Sequence, residues 1–148
     1  MNLSFVVNNL GNSEQNYEMI KLANSIATSS NMIVPNIFYH NIVPPVMPLA
    51  CLNMNISGLS GMTGKTISFD LESAQTVIAT GSTTENWLYL WDLPWLYSIL
   101  NYPLCLELLS RFKIVVRSNS HKDNVENFTG RKDIIVAENM DKLYSCLI

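Results

Sequence analysis

A chain of 148 residues is long enough for one hydrophobic core and needs no second domain. Its net charge of −3, with 14% charged residues against a usual figure of about 25%, argues against a general nucleic-acid binder. Cys51, Cys105 and Cys146 are odd in number, far apart and in apolar company, which predicts reduced, buried thiols in a cytoplasmic setting. The opening MNLSFVVNNLGN has no basic leader region, and no segment reaches the ~18 clean apolar residues of a membrane helix. A soluble, unprocessed chain with no membrane partner is therefore expected.

Residues 3–7, LSFVV, read as the first strand. The loop Asn8, Asn9, Leu10, Gly11 leads into a helix, where Asn12 and Gln15 have capping-box form and Glu14 complements the amino end. Met19, Ile20, Ala23, Ile26 and Ala27 then form an apolar stripe. Strand, glycine-containing loop and helix open nucleotide-binding Rossmann domains, because free amides at a helix start attract phosphate. Of the G-x-G-x-x-G spacing only Gly11 is present.

A second strand spans residues 32–39, and from residue 41 to residue 64 no side chain is charged. Pro44, Pro45 and Pro48 exclude a continuous helix there, while residues 52–56 suit an alternating strand. The run is open to three readings: a buried crossover, a subunit interface, or a membrane-surface contact that lacks a basic flank. SGLSGMTGKT ends this region but does not make a phosphate loop. The pattern G-x-x-x-x-G-K-[ST] needs glycine where Leu59 stands, and the loop works only if successive amides converge. A glycine-rich turn into a strand at 66–69 is the expectation.

Asp70 caps the next helix, with Leu71, Ala74, Val77 and Ile78 inward and Gly81 past its end. Residues 87–91 of WLYLWDLPW are a strand that is apolar on both faces, stopped by Pro94. Asp92 then stands at a strand's carboxyl end beside Trp91 and Trp95. This arrangement suits sugar hydroxyls below a stacking ring, or equally a capping aspartate among core tryptophans. A helix over 103–111 leads into residues 113–139, KIVVRSNSHKDNVENFTGRKDIIVAEN, a complete βαβ unit. Its strands are 113–117 and 133–137, its helix spans 119–129 with Ser118 or Ser120 as cap, and Gly130 ends that helix. Asn139 caps a last helix, 140–147.

This alternation predicts an α/β fold, a Rossmann-like three-layer αβα sandwich with a mostly parallel sheet, as a single domain over 1–148. Ligands of such sheets bind at the carboxyl ends of the strands, which selects Asn9, Gly11, Asp92, Trp95, Arg117, Ser118, His121, Glu138 and Asn139 as candidate binding residues. The basic group Arg111, Lys113, Arg117, Lys122, Arg131 and Lys132 is interleaved with Asp123, Glu126 and Asp133 and reads as a solvated face, with an anion site as the alternative. His40 and His121 have no metal-binding company, with His121 expected at the surface, and no esterase elbow occurs. No metal or cofactor is expected, and acid–base work would fall to Asp92, His121 or Glu138. So little charge over the whole chain also suits a homo-oligomer or a partner subunit.

The opening and the 113–139 unit together resemble the amino-terminal, acceptor-holding half of GT-B glycosyltransferases, with Ser118 and Asn139 at that family's strand-end serine and pre-hinge asparagine. Met140 stands where the family has glycine. The NNLGNSEQNY opening, the Pro-Pro segment and YLWDLPWL are also similar to short proteins of large T4-like tailed phages, including those of marine cyanobacteria. In that case the setting would be the host cytoplasm. The resemblance implies a sugar, nucleotide-sugar or nucleotide-like ligand. The family's second half, with its E-x-x-x-x-x-x-x-E acids, is not represented, so sugar transfer is expected only with a partner subunit. The alternative expectation is a non-catalytic scaffold that binds another protein.

Overall fold

The computed structural model describes residues 1–29, 32–81, 85–98 and 102–148. Seven strands alternate with five helices: β1 (Asn2–Val7), α1 (Glu14–Ser29), β2 (Val34–Tyr39), β3 (Leu52–Asn55), β4 (Lys65–Ser68), α2 (Leu71–Thr80), β5 (Glu85–Leu90), α3 (Tyr102–Arg111), β6 (Lys113–Val116), α4 (Asn119–Thr129), β7 (Ile135–Val136) and α5 (Met140–Leu147). Short 3₁₀ turns at Ile56–Leu59 and Pro94–Leu96 complete the order. The strands form one sheet in the order β3-β2-β1-β4-β5-β6-β7, and every pairing is parallel.

The sheet grows outward from its middle in two directions. The chain runs from β1 through β2 to the β3 edge, returns to lay β4 against the other side of β1, and then proceeds to β7. Right-handed crossovers that step in opposite directions put their helices on opposite faces. Accordingly α1 packs on one face, joined there by α5, over Leu3, Phe5, Val7, Ile37, Ile67, Phe69 and Tyr89. Helices α2, α3 and α4 cover the other face over Val6, Phe38, Leu88, Leu90, Ile114 and Val116. The central strands are apolar on both faces because both are covered, and each fully buried large side chain contributes about 1.5–3 kcal/mol.

Local signals set most helix ends. Asp70, Ser118 and Asn139 accept hydrogen bonds from the backbone N–H groups of Ser73, His121 and Lys142, and Gly81 and Gly130 end α2 and α4 at φ 61° and 73°. At α1 the cap is one residue later than expected: Ser13, not Asn12, accepts from the N–H of Asn16 at 3.1 Å. Gln15 does not close a box there, because its side chain reaches across to donate to the Phe69 carbonyl at 3.0 Å.

Two further expectations need correction. The uncharged run 41–64 is not a buried crossover: Leu59 is its one buried residue, while Val46, Met47, Leu49 and Cys51 lie half-buried against the α1 side of the core. Proline-rich backbone offers few ladder groups and lies over the surface as loop. The thiols are free but not all buried, since Cys105 is buried, Cys51 half-buried and Cys146 exposed on α5. Among the described residues no helix is long and apolar enough to cross a membrane.

The turn before β4 settles the phosphate-loop question. Lys65 and Thr66 begin a strand rather than follow one, so they lie at the amino end of the sheet, opposite the ligand edge. Lys65 is occupied there by the Leu147 carbonyl and, at 3.7 Å, by Glu85.

Candidate functional site

Because all strands run the same way, every loop that leaves one opens on the same rim. That rim carries the loops after β1, β4, β5, β6 and β7, hence all nine candidate residues. Between β1 and β4 the connections diverge to opposite faces, and a cleft of about 450 Å³ opens at this switch point.

Its floor is built from the β1 and β4 ends. Asp70 accepts the backbone N–H of Asn8 at 2.9 Å and both the N–H and the hydroxyl of Ser73 at 2.8 Å, so one carboxylate ties β1 to the start of α2. Gln15, from the first turn of α1, is held on the Phe69 carbonyl beyond β4. The β1 loop is braced from within. Asn9 Oδ1 accepts the Gly11 N–H at 2.9 Å, and the nearly buried Asn16 donates to the Gly11 carbonyl at 2.8 Å. A Cβ on Gly11 would stand 2.9 Å from Val43 Cγ1 and 3.0 Å from Asn9 Oδ1, so these two side chains would have to shift to admit it, while its dihedral angle sets no such demand.

Val7, Val43 and Phe69 supply the apolar part of this lining, and the polar part is mostly amide. Asn8, Asn9, Asn12, Gln15 and Asn16 bring amides and Ser13 a hydroxyl, while Asp70 is the one charged group and no basic side chain takes part. Amides donate and accept, and an ionised carboxylate only accepts. The set is suited to hydroxyl groups rather than to phosphate, which would face Asp70 without a cation.

A narrower cleft of about 140 Å³ adjoins the first, sharing Gln15, Phe69 and Asp70 as a common wall and adding Leu71, Leu90, Trp91, Asp92 and Pro94. Asp92 therefore opens on a site adjacent to that of Asn9 and Gly11. Of the two tryptophans, Trp91 lines this cleft and Trp95 does not. Trp95 stacks on Phe128 with centroids 4.5 Å apart and planes 6° from parallel, and Tyr102 meets Phe128 edge-on, so Trp95 serves packing among the Pro94–Leu96 turn, α3 and α4. Arg117 stacks on Trp91, its guanidinium carbon 3.9 Å from the ring centroid, joining the β6 end to the β5 end.

The remaining candidates lie on the rim but apart from these clefts. Ser118 is committed as the α4 cap. His121, expected at the surface, is half-buried, with Nδ1 inaccessible and unpaired among the described residues. Glu138 is exposed and pairs with Lys142 at 2.9 Å. Asn139 caps α5 and lines a separate cleft of about 160 Å³ against Glu18, Lys21, Leu22 and Ser25 of α1. No hydrogen bond or ion pair among the described residues links Asp92, His121 and Glu138. Among the described residues no three His, Cys, Asp or Glu side chains gather closely enough to hold a metal ion.

Sequence reasoning passed over Asp70, Gln15 and Asn8 as parts of the site, although Asp70 was recognisable as a cap. Beside them Glu72 accepts from the Asn8 amide and lies 3.9 Å from His40 Nδ1, extending the polar network toward β2. Compared with protein-family models, curated proteins and solved structures, the chain matches none of them.

Proposed function

We propose that the protein binds a neutral, hydroxyl-rich ligand of the sugar class in the cleft between β1 and β4, as the acceptor-type half of a glycosyltransferase-like site that a partner subunit would complete. The observation that carries this reading is the lining itself: five amides, one serine hydroxyl and the pre-organised Asp70 carboxylate, without a basic group, at the switch point of a parallel sheet. A nucleotide-sugar would have to meet Asp70 with its sugar, because its diphosphate has no cation in this cleft.

Asn12 is the cleanest probe, since it is exposed, lines the cleft and does not cap α1. Asn12→Ala is expected to change stability by less than about 0.5 kcal/mol while weakening sugar binding by about 5–10-fold, the loss of one or two hydrogen bonds. Amide chemical-shift titration with a monosaccharide and nucleotide-sugar panel checks both parts. Shifts at Asn9, Gly11 and Asp70 that weaken in the variant support the reading. A folded protein in which no member of the panel moves these amides overturns it.

A second reading, a self-associating interaction protein, is favoured by the contrast between the two sheet edges. The β7 edge is two residues long and flanked by Arg131, Lys132 and Asp133, with Arg131 and Asp133 paired. The β3 edge is four residues long, mostly exposed, and set in the run without a single charge; Met32, Val34, Ile42, Val43 and Leu52 expose apolar surface near it. Natural sheets blunt exposed edges with charge. An uncharged edge can meet its own copy across a two-fold axis with no like-charge repulsion, β3 pairing antiparallel to β3. Light scattering is expected to give a dimer that Leu52→Lys converts to monomer, and a strict monomer at high concentration removes this reading.

A further inference from the structure

The two clefts differ in chemistry and adjoin across a shared wall of Gln15, Phe69 and Asp70. On the β1 side amides and a carboxylate stand beside Val7 and Val43; on the β5 side the lining is Leu71, Leu90, Trp91 and Pro94, with the exposed Asp92 at the margin. The wall between them is rigid: Gln15 is held by the Phe69 carbonyl, and Asp70 by three donors. Trp91 is fixed as well, covered by Arg117 on one side and met edge-on by Tyr89 at 6.1 Å. A pinned ring in an apolar recess binds a flat group at little cost in side-chain entropy.

From this pairing we infer that the ligand is bipartite, a sugar ring joined through its anomeric carbon, directly or by one oxygen, to a flat, weakly polar ring, with the sugar over Asp70 and the flat ring against Trp91 and Leu71. This rests on the sugar-class reading of the larger cleft and adds the substituent. Volumes of about 450 and 140 Å³ fit that division, since the smaller space takes one ring and the larger a sugar with its water. Aryl glycosides and nucleosides share the chemistry, and the arms of the test separate them.

Titration calorimetry of the intact protein with glucose, phenyl β-glucoside and uridine reads the contribution of the second ring directly. The expectation is that phenyl glucoside or uridine binds at least ~10-fold more tightly than glucose, the yield of burying one ring face. A gain with only one of the two identifies the source of the flat ring and supports the inference in either case. Trp91→Ala should bring the affinity ratio close to one. Because that change also frees Arg117, Leu71→Asp is the companion variant: it places a carboxylate in the apolar recess at the first position of α2, where an acid suits the helix end, and a cooperative urea transition checks that it is folded. It too should collapse the ratio. Glucose binding without any gain from the second ring, or a gain untouched by both variants, overturns the bipartite ligand and leaves the sugar cleft standing. Absence of binding by all three compounds overturns both together.

Discussion

Gly64→Ala is expected to lower stability by about 3 kcal/mol or more, which shows as a large fall in the urea midpoint with an unchanged slope. Two independent costs coincide at this position. Gly64 has φ +120°, a backbone conformation that side-chain-bearing residues rarely adopt, and an added Cβ would lie 2.4 Å from the carbonyl oxygen of Asn2 and 3.2 Å from its carbonyl carbon. That neighbour is backbone at the start of β1, which pairs with β2 on one side and is followed closely by the β1–β4 ladder at Leu3 and Lys65 on the other. It cannot rotate away as a side chain would, so the two central strands must part at their amino ends. Gly61 supplies the control. It has φ +87° with nothing within 4 Å of a Cβ, so Gly61→Ala bears the dihedral cost alone, about 1–2 kcal/mol. The difference between the two variants measures what the contact with Asn2 and the wider φ at Gly64 add together. Equal losses would show that the β1 contact is not what requires glycine at 64.

Tyr89→Ala is expected to cost about 4 kcal/mol and Tyr89→Phe about 1–2 kcal/mol. Tyr89 is fully buried one residue from the carboxyl end of β5, packs edge-on against Phe69 at 5.9 Å, and donates its hydroxyl to the Ala137 carbonyl at 2.9 Å. That bond passes beneath β6 and anchors the chain just after β7, a strand of only two residues with little ladder of its own. Removing the hydroxyl leaves a buried carbonyl unpaired, and removing the ring opens a cavity against Phe69 as well. The phenol also carries a pH signature. Burial pushes its pKa up to about 12 from an ordinary 10, with Arg117 opposing in part. Folding therefore favours the neutral form, and the stability linked to it is complete below pH 10 and is lost as pH rises through about 12. Urea denaturation of the wild type and the Phe variant across pH 8–11 should show their stabilities converging at the alkaline end. A constant gap would mean that the hydroxyl does not titrate with folding.

The alternation of strands and helices, the parallel sheet and most helix ends were legible in the residues because each depends on neighbours a few positions apart. A β-branched run of four to six reads as a strand, Asp70 before an amphipathic stretch reads as a cap, and Gly130 after one reads as a stop, whatever the rest of the chain does. That all the proposed residues sit on one rim follows from the same local facts, since strands that all run parallel bring their carboxyl ends together. What the residues did not reveal was which loops on that rim adjoin. That depends on strand order, and strand order is chosen by packing between residues far apart in the chain. Only the return of β4 to the side of β1 brings Asp70 to the Asn8 amide and Gln15 to the Phe69 carbonyl, contacts that span 62 and 54 residues. The two tryptophans make the same point on a smaller scale. Trp95 was the candidate read from the sequence, with Trp91 only its neighbour beside Asp92, but Phe128 on α4 claims Trp95 and the β5 rim keeps Trp91, a choice no local pattern encodes. The sequence by itself thus determined the elements, their common direction and the edge at which a ligand would bind. The tertiary structure alone decided which side chains on that edge form a cavity, because a cavity is made by long-range neighbours.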